Sequence, residues 1–112
     1  MLSLILHPDD NIRPRVLTPA ELTHPGDVLG VMNPNVIYLE ASVAMWVDED
    51  YLNRPREEFN AGATFLVRDA DFLMPSLRGP ALLCALRENT FDNFTPYAAV
   101  RLRHRISDLL NS

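Results

Sequence analysis

Val36-Ile37-Tyr38-Leu39-Glu40-Ala41-Ser42-Val43-Ala44-Met45-Trp46-Val47 is the stretch on which the fold turns. Ile37, Leu39, Ala41, Val43, Met45 and Val47 are all apolar, and the residues between them are mixed. Successive side chains of a strand point to opposite faces, so this period of two predicts one buried face and one partly wet face. A helix is the rival reading, because the run is long and nearly all apolar. A helix would set Asp48-Glu49-Asp50 at the negative end of its dipole, which is unfavourable. The stretch is therefore read as one long central strand.

Toward the N-terminus, Leu2, Leu4 and Leu6 alternate with Ser3, Ile5 and His7, which predicts a short first strand. Pro8 and Pro14 then interrupt regular structure. Thr18-Pro19-Ala20-Glu21 is a helix start: Thr18 caps, Pro19 suits the first helical position and Glu21 completes a capping box. Pro25 limits that helix to about a turn, since the residue before a proline avoids helical geometry. Residues 28–32 read as a second short strand.

Toward the C-terminus, 54–61 reads as a short helix stopped by Gly62, and 64–67 as a further strand. Two helices close the chain. The first covers 80–89, with Leu82, Leu83 and Leu86 on one side. The second is capped by Thr95, has Pro96 at its first position, and carries Ala99, Leu102, Ile106, Leu109 and Leu110 at helical spacing. The expectation is one α+β domain over residues 1–112. It has a mostly antiparallel sheet of three to four strands, with two C-terminal helices packed on one face.

Composition excludes several functions. All ten basic side chains of fixed charge are arginines, so neither a P-loop lysine nor a Schiff-base lysine exists. Gly26, Gly30, Gly62 and Gly79 are too scattered to cradle phosphates. No cofactor is expected. Cys84 is the only cysteine, which rules out an internal disulfide and a multi-cysteine zinc site. No apolar run approaches the ~20 residues that span a bilayer, and the opening residues lack a basic leader segment. A cytoplasmic protein without a membrane span is expected.

The net charge of −5 is unevenly spread. Residues 1–75 hold five arginines against twelve carboxylates, and residues 76–112 hold five against three. Overall acidity disfavours non-specific nucleic-acid binding and favours a basic partner.

Four groups of residues invite chemistry. His7-Pro8-Asp9-Asp10 and His24-Pro25-Gly26-Asp27 share the pattern His-Pro-x-Asp, and would offer two imidazoles and two carboxylates to a metal if the turns met. Ordinary turns use the same residues. Cys84 is a nucleophile only if exposed and beside a base, whereas buried cysteines usually act as small apolar residues. Arg101, Arg103, His104 and Arg105 suggest a recognition helix, but Arg103 points about 160° away from Arg101 at 100° per residue. The fourth group is Trp46, Asp48, Glu49, Asp50, Tyr51, Glu57 and Glu58, with Arg54 among them. Carboxylates around aromatics suit an arginine- or lysine-rich partner.

No catalytic or metal-binding set emerges. The leading expectation is a non-catalytic protein-binding module, such as a small adaptor, inhibitor, antitoxin or immunity-type protein, that uses this acidic face. Its alternatives are a small metal-dependent or cysteine enzyme, and a nucleic-acid-associated regulator acting through the C-terminal arginines. The mixed face of residues 36–47 could also bury itself against a second copy, a C2 homodimer being the default arrangement.

Overall fold

Residues 1–73 and 75–112 are described by a computed structural model. Four helices and a six-stranded antiparallel sheet make up the described residues. The strands are β1 (Ser3–Leu6), β2 (Ile12–Arg15), β3 (Pro34–Glu40), β4 (Val43–Asp48), β5 (Ala81–Arg87) and β6 (Thr90–Asp92). Their order across the sheet is β2-β1-β5-β4-β3, with β6 pairing β5 beyond the end of β1. The architecture is α+β, as composition and patterning imply, but the sheet is larger than three to four strands.

The helices are α1 (Pro19–Thr23), α2 (Pro25–Leu29), α3 (Ala61–Asp69) and α4 (Pro96–Leu110). They cover both faces of the sheet rather than one. Leu4, Leu6, Met45, Leu83 and Ala85 pack against Leu66 and Val67 of α3 and Leu102 and Ile106 of α4. Ile5, Ala44, Leu82 and Cys84 face the other way, toward Leu22 of α1 and Leu29 of α2. This two-sided covering explains where patterning misled. A strand buried on both faces needs no alternation and reads as a continuous apolar run. Ala81–Arg87 is such a strand, at the centre of the sheet, where the leucine spacing suggests a helix over 80–89.

The 36–47 stretch is extended, but it is two strands. The chain reverses after Glu40, and Val43 pairs back with Glu40, Met45 with Ile37 and Trp46 with Val36. β4 is interior and β3 forms an edge. No Gly or Asn-Gly marks this turn, so the reversal left no sequence signal. The corresponding turn between β5 and β6 is made by Glu88 (φ 50°) and Asn89 (φ 65°), both left-handed, as a tight hairpin turn requires.

Two further segments exchange roles. Residues 64–67 lie inside α3 rather than in a strand, and 54–61 is mostly irregular with short 3₁₀ turns. Gly62 sits in the first turn of α3, buried against Ile106, and so does not end a helix. Residues 28–32 contain the end of α2, not a strand. The capping signals fare better: Thr18 and Glu21 form the reciprocal box at α1, and Thr95 caps α4 with Pro96 behind it.

Two buried asparagines tie the layers together, and neither stands out in the sequence. Asn60 caps α3 by accepting from the Ala63 N–H, and its amide donates to the carbonyls of Leu6 and Gly79. Asn93 accepts from the Ser3 hydroxyl and the Leu17 N–H, and donates to the Leu17 carbonyl. Each fills three bonds in a low-dielectric setting, where an unmade bond is costly.

Candidate functional site

The acidic segment leaves the end of β4 and runs through residues 49–59 before α3 begins. Its organising centre is Arg54. The Arg54 Nε donates to the Asp48 carboxylate at 2.6 Å and its Nη1 to Glu58 at 3.0 Å. The hydrogen bond it donates to Asp48, opposed by burial, raises the Arg54 pKa above its ordinary value. Asp48 is almost wholly buried, and its other oxygen accepts the Asp50 backbone N–H. Arg78 clamps the segment from outside, donating to the carbonyls of Leu52 and Arg54. Gly79 closes the arrangement: at φ +89° it lies so near Arg54 that a Cβ would come within 2.8 Å of the guanidinium stem. Glu58 and Asn60 are further held by backbone bonds to Gly79 and Leu77.

The fate of the seven sequence-selected residues follows from this network. Asp48 and Glu58 come together on Arg54. Asp50 accepts from the Asn33 side chain on its solvent side. Glu49 and Glu57 are exposed and form no ion pair among the described residues. Tyr51 packs partly on the α3–α4 side of the sheet. Trp46 lies on the α1–α2 side, edge-on to Phe91 with ring centroids 5.2 Å apart, and so stands apart from the others. The segment also exposes two large apolar side chains that charge patterning does not single out, Leu52 and Phe59. Their only sequence signal is position, beside acids in a stretch with no periodicity.

The remaining candidates are dispersed. His7 closes the β1–β2 turn, where Asp10 at φ 66° donates its N–H to the His7 carbonyl. Asp9 accepts from the Asn11 backbone N–H, which holds its carboxyl below the usual range. His24 joins α1 to α2, with Nδ1 3.0 Å from the Ala20 carbonyl oxygen. Among the described residues no three His, Cys, Asp or Glu side chains converge on a metal-sized site. Burial pushes the Cys84 thiol up to about 12. The Trp46 indole N–H satisfies no hydrogen bond but lies near enough to the sulfur to oppose that rise weakly. A thiol so placed is protonated at neutral pH and is a poor nucleophile.

The arginines of α4 do not sit on the second helix of a helix-turn-helix, because β5 and β6 precede them. Arg105 is taken by Asp69, with Glu40 at 3.7 Å. Arg101 lies over the Tyr97 ring, 5.7 Å from its centroid. Beside them, between α4 and the ends of β4 and β5, is an open groove of about 750 Å³.

No protein-family model matches the chain, and comparison with curated proteins and with solved structures finds no match. Among the described residues, no helix is long and apolar enough to cross a membrane.

Proposed function

We propose that this protein is a non-catalytic protein-binding module that presents residues 49–59 to a partner with a basic surface. One observation carries the reading: a loop with only two short 3₁₀ turns is clamped by Arg54 and Arg78 while it exposes Leu52 and Phe59 together with Glu49 and Glu57, which form no ion pair among the described residues. A loop ordered before binding avoids much of the entropy cost of association. An apolar pair rimmed by carboxylates matches a partner with an apolar recess bordered by arginine or lysine. Adaptor, inhibitor, antitoxin and immunity-type roles all fit such a loop. The lone buried thiol suits the reducing cytoplasm, where we place the protein.

The test is affinity capture at low and raised salt, with wild type and Glu49→Arg/Glu57→Arg compared on the same lysate. A stoichiometric partner that elutes with salt and is lost on charge reversal is the expected result, with affinity down by about 1–3 kcal/mol. A partner held equally well by the reversed protein rejects the loop as its site.

A homodimer is the second reading, and the two edges of the sheet favour it. β2 is guarded by Arg13, Pro14 and Arg15, the usual devices against edge pairing. β3 is seven residues long and carries no charge before Glu40, and Tyr38 is exposed on it. Antiparallel pairing of two β3 edges would extend the sheet across a two-fold axis. Sedimentation should then find a dimer that Tyr38→Lys returns to monomer; a monomer at all concentrations rejects it.

A further inference from the structure

We propose that the groove beside α4 is a binding site for a small organic anion, a carboxylate or phosphate joined to an apolar body. Its volume, about 750 Å³, falls in the range of roughly 300–1,000 Å³ usual for small-molecule sites. The lining is divided by chemistry. Buried Val43, Ala85 and Leu102 form the floor, half-buried Ala98 and the exposed Tyr97 ring supply apolar surface, and arginines from two elements supply positive charge: Arg87 at the end of β5, and Arg101 and Arg105 on α4.

The three guanidiniums differ in what they already hold. Arg105 is committed to Asp69 and Glu40. Arg87 is partly held: its Nη1 lies 3.6 Å from Asp92 and its Nη2 donates to the Asn93 carbonyl at 3.3 Å, with both side chains of the ion pair nearly half exposed. Arg101 has no carboxylate within 4.0 Å among the described residues; its recorded neighbour is the Tyr97 ring one helical turn earlier. The cation–π contact with that ring leaves the guanidinium's donors available, and a planar fork of donors suits a carboxylate or phosphate.

The acids of the groove give the ligand a direction. Glu40 is engaged by Arg105. Asp108 is seven residues beyond Arg101, or about 10 Å along the axis at 1.5 Å per residue, too far to neutralise it. An anionic head therefore belongs at the Arg87–Arg101 end, away from Asp108, with the apolar body against Ala98 and the Tyr97 ring. A bare inorganic anion would forgo that apolar contact, and a neutral apolar molecule would leave Arg101 unanswered.

The test is an amide NMR titration with phenyl phosphate, benzoate and inorganic phosphate, on wild type, Arg101→Gln and Arg103→Gln. Arg103 is exposed on the same helix but does not line the groove, so its variant loses the same charge elsewhere. The expected result is saturable shifts at residues 86–87 and 97–105 with at least one aromatic anion. Arg101→Gln should weaken this binding about tenfold and Arg103→Gln should not, as the loss of one charge-assisted bond implies. Absence of saturable shifts, equal weakening by both variants, or inorganic phosphate binding as tightly as phenyl phosphate would each overturn the proposal. None of these outcomes depends on the 49–59 loop.

Discussion

Arg54 lies among carboxylates in the sequence and Arg101 among apolar and basic residues, and the fold uses the two in opposite ways. Arg54 is drawn down onto Asp48 and Glu58, and its charge is spent on holding a loop still. Arg101 stands at the lip of a groove with an aromatic ring behind it and no anion in front. The acids around Arg54 are likewise of two kinds: Asp48 is buried structure, while Glu49 and Glu57 remain available to a partner. Formal charge along a sequence therefore says little about which charges a partner can reach. Pairing and burial decide that, and both are properties of the folded chain.

The contrast is most easily broken at Asp48. Asp48→Ala leaves Arg54, a partly buried guanidinium, without its shortest partner, and stability should fall by about 2 kcal/mol in urea unfolding. Amides of residues 49–59 should lose hydrogen-exchange protection with it. Unchanged stability and protection would mean that the loop is not clamped by this pair.

Smaller effects sharpen the contrast. Glu49→Arg/Glu57→Arg should leave stability within about 0.5 kcal/mol of wild type, because neither side chain forms an ion pair among the described residues, while partner affinity drops. A large loss of stability would show that these acids also belong to the clamp. Arg101→Gln should be equally quiet in unfolding and visible only in anion titration. If it destabilised the protein like Asp48→Ala, the two arginines would not differ as described.

Cys84 gives the smallest effect at neutral pH and a defined one in alkali. Its thiol is raised by burial from an ordinary 9.0 to about 12 in the folded protein. A raised folded value means that the unfolded chain loses its proton first. The stabilising contribution is thus intact below pH 9 and is lost as pH climbs from 9 toward 12. A thiol reagent at pH 8 should leave the native protein unmodified and label it on unfolding. Cys84→Ala should flatten the alkaline part of the stability profile, and an unchanged profile would assign that slope to other groups.

Much of the framework could be read residue by residue. Thr18 and Glu21 announce α1, Thr95 and Pro96 announce α4, and leucines alternating at 2, 4 and 6 announce β1, because each signal is local. The acidic segment was legible as a cluster, since it is contiguous. Its division into clamp and surface was not, because that rests on Gly79 and Arg78, some twenty residues away. The groove was legible only as scattered arginines. Arg87 lies in a stretch whose spacing reads as helix, and only its place at the end of a central strand brings it to face α4.

By itself the sequence determined the α+β class, the capped helices, the extended character of residues 36–47 and the want of lysine chemistry. These depend on composition, on short-range spacing and on backbone preferences that act over a few residues. Only tertiary structure decided that the 36–47 stretch folds back on itself, that 81–87 is a strand, and that Asp48 is spent while Arg101 pairs with no carboxylate among the described residues. A residue buried on both sides of a sheet carries no periodic mark, and an ion pair is made by whichever charge the fold brings within reach.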